Sequence, residues 1–289
     1  ATHNFVSNSE KFNLNSTVSA QEFKTYPKSK FLNHYAAYND AYKYERNRTL
    51  KIEEQLSYFF SDKLNFVGGL SYQYFDAIPK TSDLPEPYDE DKASDEQNLP
   101  FPGTAVTDKD GNDLTIIQNI YHIDYFNFGS YIQFQYKPSQ SITLTAGTRY
   151  DYNSRYESTV NPRIGLIYKP TDRFTAKLLY GHAYLAPSPY DSYARYGSFT
   201  PVTNENGEIT GLTSGFWHLP NPDLEPQKRK SVEAYFLYYL SGNFSLSTHG
   251  FYGKLTNLIL YEYVSGETFQ NIPIGTVSHY INKGEGKSY

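Results

Sequence analysis

Apolar and polar residues alternate strictly through several stretches of the chain, the pattern of a β-strand with two different faces. Most stretches exceed the roughly five or six residues of a typical globular strand. About ten strands are predicted in this way. Clear alternation runs through residues 50–60, 64–74, 126–136, 142–151, 164–168, 174–180, 232–240 and 244–248, and weaker alternation through 12–23 and 277–289.

The connections between these strands alternate between short and long. Every tight turn therefore lies at one end of the sheet, as in outer-membrane barrels with short periplasmic turns and long extracellular loops. A β-sandwich imposes no such sorting, so we predict an all-β, antiparallel segment of a transmembrane β-barrel. The tight turns are 61–63, 138–141, 169–173 and 241–243, the long connections are about 24–47, 76–120, 186–229 and 261–276, and the link 153–161 is intermediate.

Composition agrees with this fold. The chain has 30 Tyr and 19 Phe but one Trp, and barrels in lipid place aromatic rings at both edges of their apolar band. No run of 18 apolar residues is present, which excludes helical membrane spans. The absence of Cys excludes a disulfide framework and a thiolate metal site. A net charge of −5 gives no indication of nucleic-acid binding.

Two of the long connections contain hairpin signals. Residues 108–113 hold an Asp-Gly-type turn and residues 204–208 an Asn-Gly step, both of which favour tight turns. The first segment also has the alternating Asp and Asn of a calcium loop. It lacks the downstream Glu of such loops, so a plain turn is the preferred interpretation.

Four short segments resemble the barrel of TonB-dependent receptors, in that family's order. Residues 161–170 resemble a strand that ends in a tight periplasmic turn. Leu185-Ala186-Pro187-Ser188 is similar to the family's Arg-Ala-Pro box, with Leu in place of Arg. The segment 221–227 resembles its Asn-Pro-Asn-Leu-Lys-Pro-Glu box, and 280–289 its Asn-x-Gly-x-Ala-x-Ser-x-Gly segment without the last Gly. The close resemblance covers residues 142–289.

This resemblance implies a receptor in the outer membrane of a Gram-negative bacterium. Such a receptor takes up a scarce nutrient, a siderophore or another metal chelate, with energy from the TonB complex. The family's TonB-contacting box, plug domain and closing aromatic strand have no counterpart in this sequence. We therefore expect residues 1–289 to be an internal part of a barrel, partnered by the rest of the receptor, by the nutrient ligand and by outer-membrane lipid and lipopolysaccharide.

The connection 186–229 would overhang the extracellular mouth. Aromatic rings and an Arg suit a planar or anionic ligand, although packing of the loop against its neighbours explains the same residues. His218 also suggests haem ligation, because haem receptors place a His between the same two boxes. In this sequence, however, Arg195 and Tyr196 occupy the part of the loop that corresponds to that His. The remaining His residues lack paired spacing, so we expect no bound metal and no cofactor. The ligand-binding candidates are Tyr190, Tyr193, Arg195, Tyr196, Phe216, Trp217 and His218.

Two further features have alternative interpretations. Arg149 and Asp151 share the predicted lumen face, where they could contact a plug or form a simple salt bridge. The acidic tract 83–96 could repel anions or hold divalent ions that bridge lipopolysaccharide. A solvated loop face is the more common explanation of such a tract.

The alternative function is a complete ten-stranded outer-membrane enzyme of the protease kind. Such an enzyme needs carboxylates and a His at the extracellular rim, for which Asp76, Asp191 and His218 are the candidates. It must also pair its first and last strands. A passive porin segment is a third possibility, but it would not carry the two boxes that flank 186–227.

Overall fold

The computed structural model describes residues 2–8, 11–32, 40–81, 84, 86–97, 100–101, 108–112, 116–117, 120–197, 200–266, 268–269 and 272–289. Antiparallel β-structure dominates these ranges. No helix within them is long and apolar enough to cross a membrane. The elements are β1 (Thr2–Asn8), β2 (Phe12–Lys24), β3 (Lys30–Leu32), β4 (Asp40–Tyr42), β5 (Arg46–Ser61), β6 (Leu64–Ile78), a 3₁₀ turn (Ser94–Glu96), β7 (Pro100–Phe101), β8 (Ile116–Ile117), β9 (Ile123–Ser139), β10 (Ile142–Asn153), β11 (Glu157–Thr171), β12 (Phe174–Leu185), α1 (Pro189–Tyr193), β13 (Tyr196–Gly197), β14 (Thr200–Thr203), β15 (Ile209–His218), β16 (Gln227–Ser241), β17 (Phe244–Thr256), β18 (Ile259–Ser265), β19 (Thr268–Phe269), β20 (Ile272–Asn282) and β21 (Glu285–Ser288).

Eleven strands form one continuous sheet, which we call the wall. Its order is β1-β2-β5-β6-β9-β10-β11-β12-β16-β17-β21, so neighbours along the chain are neighbours in space. Every pairing in it is antiparallel. β1 and β21 lie at opposite edges and do not pair with each other within the described ranges. The wall is therefore an open sheet, and the closed ten-stranded barrel of the enzyme hypothesis does not form.

The two faces of the wall differ as the alternation predicts. From β5 to β17, register pairs such as Tyr72 with Phe128 and Leu166 with Leu178 place even-numbered apolar side chains on one side, the apolar face. Many of these large side chains are exposed, including Ile164 at 58%. The odd-numbered positions form the polar face. An exposed apolar face of this extent requires a non-aqueous neighbour.

The predicted strand set needs three corrections. β1 adds an eleventh strand that the alternation did not identify. The link predicted as 153–161 shrinks to residues 154–156, because β10 and β11 stay paired as far as Asn153 and Glu157. The predicted strand 277–289 is split: β20 leaves the wall for another sheet, and only β21 pairs with β17.

A second sheet, which we call the rim, lies among the long connections. Its order is β13-β15-β20-β18, and β14 and β19 pair at its sides. β15 and β20 run parallel, with Trp217 opposite Val277 and His218 opposite Ser278. The connections 186–226 and 257–284 are thereby joined into one unit over the same end of the wall.

Both predicted hairpin turns form. Gly207, at φ +79°, donates its N–H to the carbonyl of Asn204 at 3.0 Å, and β14 and β15 pair on either side. At the other turn, the carboxylate of Asp108 accepts the backbone N–H groups of Asp110 at 2.9 Å and Asn112 at 2.8 Å. This carboxylate caps its own turn. The flanking residues 106 and 113 lie outside the described ranges.

The connections 25–45 and 79–122 share a small core. Tyr44 is fully buried and stacks on Tyr88 with ring centroids 4.0 Å apart. Its hydroxyl donates to Glu90 at 2.9 Å, and Lys24 pairs with the same carboxylate at 2.8 Å. Burial, followed by the hydrogen bond to Glu90, raises the pKa of Tyr44 to about 12. The acidic tract therefore contributes a structural carboxylate as well as solvated ones.

Candidate functional site

Asparagine side chains clasp the rim onto the wall at the segments that resemble the family boxes. Asn221 donates to the carbonyl of Tyr280 at 2.8 Å. Asn282 accepts the backbone N–H of Glu225 at 2.8 Å and donates to its carbonyl at 2.9 Å. Asn257, at φ +62°, donates to the carbonyl of Pro226 at 3.1 Å. Residues 221–226 and 280–282, distant in sequence, are thus held together.

Above this clasp, phenol hydroxyls converge from two connections. The hydroxyl of Tyr280 donates to that of Tyr261 at 2.6 Å, and the hydroxyls of Tyr261 and Tyr196 lie 3.4 Å apart. Tyr190, from α1, lies beside Tyr196. We call these four residues the tyrosine cluster. Burial, together with the bond to Tyr261, raises the pKa of Tyr196 and of Tyr280, so both remain neutral phenols.

His218 lies directly beneath the tyrosine cluster and is fully buried. Its ring stacks on Tyr196 at 4.7 Å, and its Nδ1 lies 2.9 Å from the hydroxyl of Ser278. Its Nε2 is buried without a hydrogen-bond partner among the described residues. Burial, reinforced by the charge of His279, lowers the pKa of His218 to about 4. The imidazole is therefore neutral at physiological pH.

Trp217 forms the floor of the rim. It is fully buried, and its ring covers Gly197, where an added Cβ would lie 1.7 Å from the ring. Phe216 lies on the other face of β15 and is half-buried, 6.1 Å from the ring of Tyr196. Trp217 and His218 are thus covered in this conformation, while Tyr190 is 39% exposed and available to a ligand.

A second aromatic group surrounds Arg155, in the turn between β10 and β11. Its guanidinium lies 5.1 Å from the ring of Tyr125 and 5.3 Å from that of Tyr193, and it donates to the hydroxyl of Ser192 at 2.7 Å. Both aromatic contacts are in cation–π range. Because Ser192 and Tyr193 belong to α1, Arg155 fixes the helix that carries Tyr190.

Arg195 extends this second group. Its guanidinium lies 5.9 Å from the ring of Tyr121, which lies 5.3 Å from the ring of Tyr193. The seven ligand-binding candidates therefore divide between two places. Tyr193 and Arg195 join Arg155 at the end of the wall, while Tyr190, Tyr196, Phe216, Trp217 and His218 belong to the rim.

The polar face carries the two predicted lumen residues in direct contact. Arg149 donates from Nε to both carboxylate oxygens of Asp151, at 2.8 and 2.9 Å. Asp151 is only 8% exposed, whereas the side chain of Arg149 remains 43% exposed on the polar face. Next to it, Tyr131 lies across Gly69, where a Cβ would clash with the ring at 2.5 Å, and donates to Gln55 at 3.0 Å. A cavity of about 460 Å³ opens here, lined by Glu53, Gln55, Val67, Tyr131, Thr148, Arg149, Asn161, Arg163 and His182.

One carboxylate–histidine group has the composition of a metal site. Ligand atoms of Asp76, His122 and Asp124 lie within 4.8 Å of one another. However, Arg46 donates to Asp76 Oδ1 at 2.8 Å, and His122 Nε2 lies 2.9 Å from the same oxygen. The group is therefore an ion-pair network at the edge of the apolar face.

The residues proposed for an enzyme do not form one site. Asp76 belongs to that ion-pair network on β6. Asp191 caps α1, where its N–H donates to Ser188 Oγ at 3.0 Å and its carboxylate accepts the N–H of Ser188 at 3.1 Å. His218 is buried in the rim against Ser278.

Several site residues escaped prediction. Tyr261 lies in a segment that was predicted to be a loop, and Tyr280 in one that was predicted to be a wall strand. Arg155 lies in a link without any motif. The alternation of Tyr261, Glu262 and Tyr263 is the one local signal that a strand runs there. Nothing in the sequence indicates the parallel pairing of β15 with β20, which brings Tyr280 to His218.

Comparisons with known proteins identify the family to which this architecture belongs. The family profile described as TonB dependent receptor-like, beta-barrel matches residues 2–289. No curated protein sequence matches the chain. Among solved structures, a mutant of the ferric enterobactin receptor PfeA from Pseudomonas aeruginosa superposes with a TM-score of 0.67 at 12% identity, over 99% of this chain and 39% of that one.

Two other solved structures are similar. The siderophore receptor PirA from Acinetobacter baumannii gives a TM-score of 0.60 at 17% identity, over 99% of this chain and 40% of that one. The FrpB iron transporter from Neisseria meningitidis gives 0.56 at 13% identity, over 99% and 38%. The chain thus spans about two fifths of the length of the structures it matches, which are receptors and a transporter rather than enzymes. The two-faced wall and the profile match over 2–289 show that this chain belongs to the family of TonB-dependent receptor-like β-barrels.

Proposed function

We propose that the chain forms part of the barrel of an outer-membrane receptor that imports a ferric siderophore with energy transmitted by TonB. The observation that carries the proposal is the tyrosine cluster, built over one end of a wall with an apolar and a polar face. Neutral phenols and adjacent rings suit a planar, oxygen-rich chelate by stacking and hydrogen bonding. The similarity to receptors for ferric enterobactin and other siderophores supports this ligand class.

In this proposal the two faces of the wall have different contacts. The apolar face contacts the lipid of a Gram-negative outer membrane, and its edge at the long connections meets lipopolysaccharide. The polar face, with Arg149, Asp151 and the neighbouring cavity, contacts a plug domain that couples to TonB. Both the plug and further barrel strands belong to the proposal, and the two edges of the open wall supply backbone groups for such strands.

We assign direct ligand contact to Tyr190, Tyr196 and Tyr261 of the tyrosine cluster and to Arg195 of the neighbouring group around Arg155. Trp217 and His218 support them from below. A haem ligand is less compatible with this arrangement, because the imidazole of His218 is covered on one side by Tyr196 and bonded to Ser278.

The test is uptake of ⁵⁵Fe supplied as ferric enterobactin to iron-starved cells that carry or lack the receptor. We expect uptake that requires both the receptor and TonB, and that falls several-fold in a Tyr190→Ala, Tyr196→Ala double variant. A Val202→Ala variant, changed at an exposed position of β14 away from the cluster, serves as the control. Uptake that persists without TonB would indicate a passive pore, and equal uptake by both variants would contradict the assigned site.

A further inference from the structure

The apolar face carries a carboxylate near the middle of a strand. Glu54 lies between Ile52 and Leu56 on β5, and its register partners are Ser16 on β2 and Leu70 on β6. The hydroxyl of Ser16 donates to this carboxylate. Among the described residues, no Lys, Arg or His forms an ion pair with it. Glu54 therefore interrupts an apolar surface with a hydrogen-bond acceptor.

Such a position is costly if it faces only lipid. An acidic side chain on the lipid face destabilises a barrel according to its depth, and ionisable residues within a membrane usually have a partner and a function. One hydroxyl from Ser16 satisfies only part of the capacity of a carboxylate, which accepts up to about four hydrogen bonds. The remaining acceptor capacity of Glu54 is thus open to a donor from outside this surface.

Next to Glu54 the surface forms a groove. Gly68 has no side chain, so the ring of Phe66 lies across it, where a Cβ would meet the ring at 2.6 Å. The resulting cavity has a volume of about 450 Å³ and is lined almost wholly by apolar groups. Leu70 and Ile132 are exposed beside it at 54% and 49%. The patch therefore contains a depression and protruding side chains next to each other.

Two hydroxyl-bearing residues lie on the opposite side of this groove from Glu54. Ser130 on β9 pairs in register with Leu70, and Thr148 on β10 pairs with Ile132. Both line the cavity. The Oγ1 of Thr148 is buried, which leaves the hydroxyl of Ser130 as the donor on this side of the groove. The acceptor on β5 and the donor on β9 are thus separated by β6, which carries Leu70.

We propose that this patch binds a second copy of the same chain within the membrane, an inference that rests on the membrane position in the proposed function. A twofold axis close to Leu70 exchanges the two sides of the patch. It brings Glu54 of one copy toward the Ser130 hydroxyl of the other, and protruding side chains toward the opposing groove. A surface that holds its own donors, acceptors, ridges and grooves fits an isologous dimer.

A second copy suits the chemistry better than a lipid chain. Acyl chains fill an apolar groove but offer no donor to a carboxylate. Within a bilayer, apolar contact gives little net association, since lipid tails are equally apolar, and close packing and polar groups provide the attraction. The occupant is therefore expected to supply a hydrogen-bond donor to Glu54, which a second copy can do and an acyl chain cannot.

The test uses single cysteines, because the 289 residues contain none. Leu70→Cys is placed at the proposed axis, and Leu178→Cys, on the same face but on β12, is its matched control at 49% exposure. The receptor in native outer membranes is treated with a short bis-maleimide. We expect several-fold more covalent dimer from Leu70→Cys than from Leu178→Cys. Equal yields at both positions, or no dimer at position 70, would overturn the proposal.

A second pair of variants tests the role of the carboxylate. In the Leu70→Cys background, Glu54→Leu should abolish most of the dimer, while Glu54→Gln, which keeps an acceptor oxygen, should retain it. Undiminished dimer with Glu54→Leu would contradict the proposal. Fractionation of the same cells reports membrane insertion separately. An inserted receptor without dimer refutes only this inference, whereas a receptor outside the membrane refutes the proposed function together with it.

Discussion

The wall and the rim are both built from β-strands, yet they arise from the chain in different ways. In the wall, each strand from β1 to β17 pairs with the next wall strand along the chain, and its two faces follow from alternation. In the rim, β15 pairs with β20 in parallel although about 60 residues separate the partners. The wall depends on local pattern and a surrounding apolar medium, whereas the rim depends on buried side chains. The two regions should therefore fail under different perturbations.

Removing the floor of the rim should have the largest effect. Trp217→Ala deletes a fully buried ring, which costs about 3–5 kcal/mol in well-packed sites. We expect the rim to open locally while the wall stays intact. Hydrogen exchange should show lost protection in β15 and β20 and unchanged protection in β9 and β10.

The matched control for this experiment is Tyr263→Ala, at a rim position that is 66% exposed. It should leave the exchange of both regions unchanged. If Trp217→Ala instead unfolds the wall as well, the two regions are one cooperative unit and the comparison fails.

The converse experiment destabilises the wall. Ile164→Arg places a charge on the apolar face near the middle of β11 and should destabilise the protein in a bilayer by about 2–4 kcal/mol. Thr145→Arg, on the polar face of the neighbouring strand, should be close to neutral. The measurement is denaturant unfolding of the receptor from lipid vesicles, and equal losses for both variants would show that the faces are wrongly assigned.

Acidification should destabilise the rim. Because burial lowers the pKa of His218 to about 4 from an unfolded value near 6.5, the unfolded rim binds the proton first as the pH falls. The stability of the rim should therefore decline between about pH 6.5 and 4, by up to about 3 kcal/mol, and level off below that range.

The readout is rim hydrogen exchange as a function of pH, with His218→Gln as the comparison. The Gln variant should lose this pH dependence whatever its absolute stability. A pH profile that is unchanged in His218→Gln would assign the effect to other groups.

Loosening the clasp should have the smallest effect. Asn282→Ala removes two side-chain hydrogen bonds to the backbone of Glu225 and should cost about 1–3 kcal/mol. We expect faster exchange at residues 221–226 with little change in β15. Asn206→Ala, at an exposed hairpin tip, is the control. Equal effects of both variants would show that Asn282 does not hold residues 221–226 in place.

Sequence pattern predicted the wall well because a period of two is a local property. The apolar face, the tight turns and the loop-end position of the long connections all follow from spacing. The division of residues 277–289 between the rim and the wall could not be predicted, since their alternation suits a strand of either sheet equally. Tyr280 was missed for that reason, and Arg155 because cation–π contacts with Tyr125 and Tyr193 join three distant segments. The assigned ligand contacts among Tyr190, Tyr196 and Arg195 stay a prediction.

The proposed function depends most on the tyrosine cluster, assembled from two connections, as the surface that recognises the ligand. The most direct measurement is the Kd of ferric enterobactin for purified receptor carrying Tyr261→Phe or Tyr263→Phe. Both residues lie on β18 with stacked rings 6.1 Å apart, but the hydroxyl of Tyr261 bonds within the cluster. We predict a several-fold weaker Kd for Tyr261→Phe and an unchanged Kd for Tyr263→Phe. Equal Kd values for both variants and the unaltered receptor would contradict the claim.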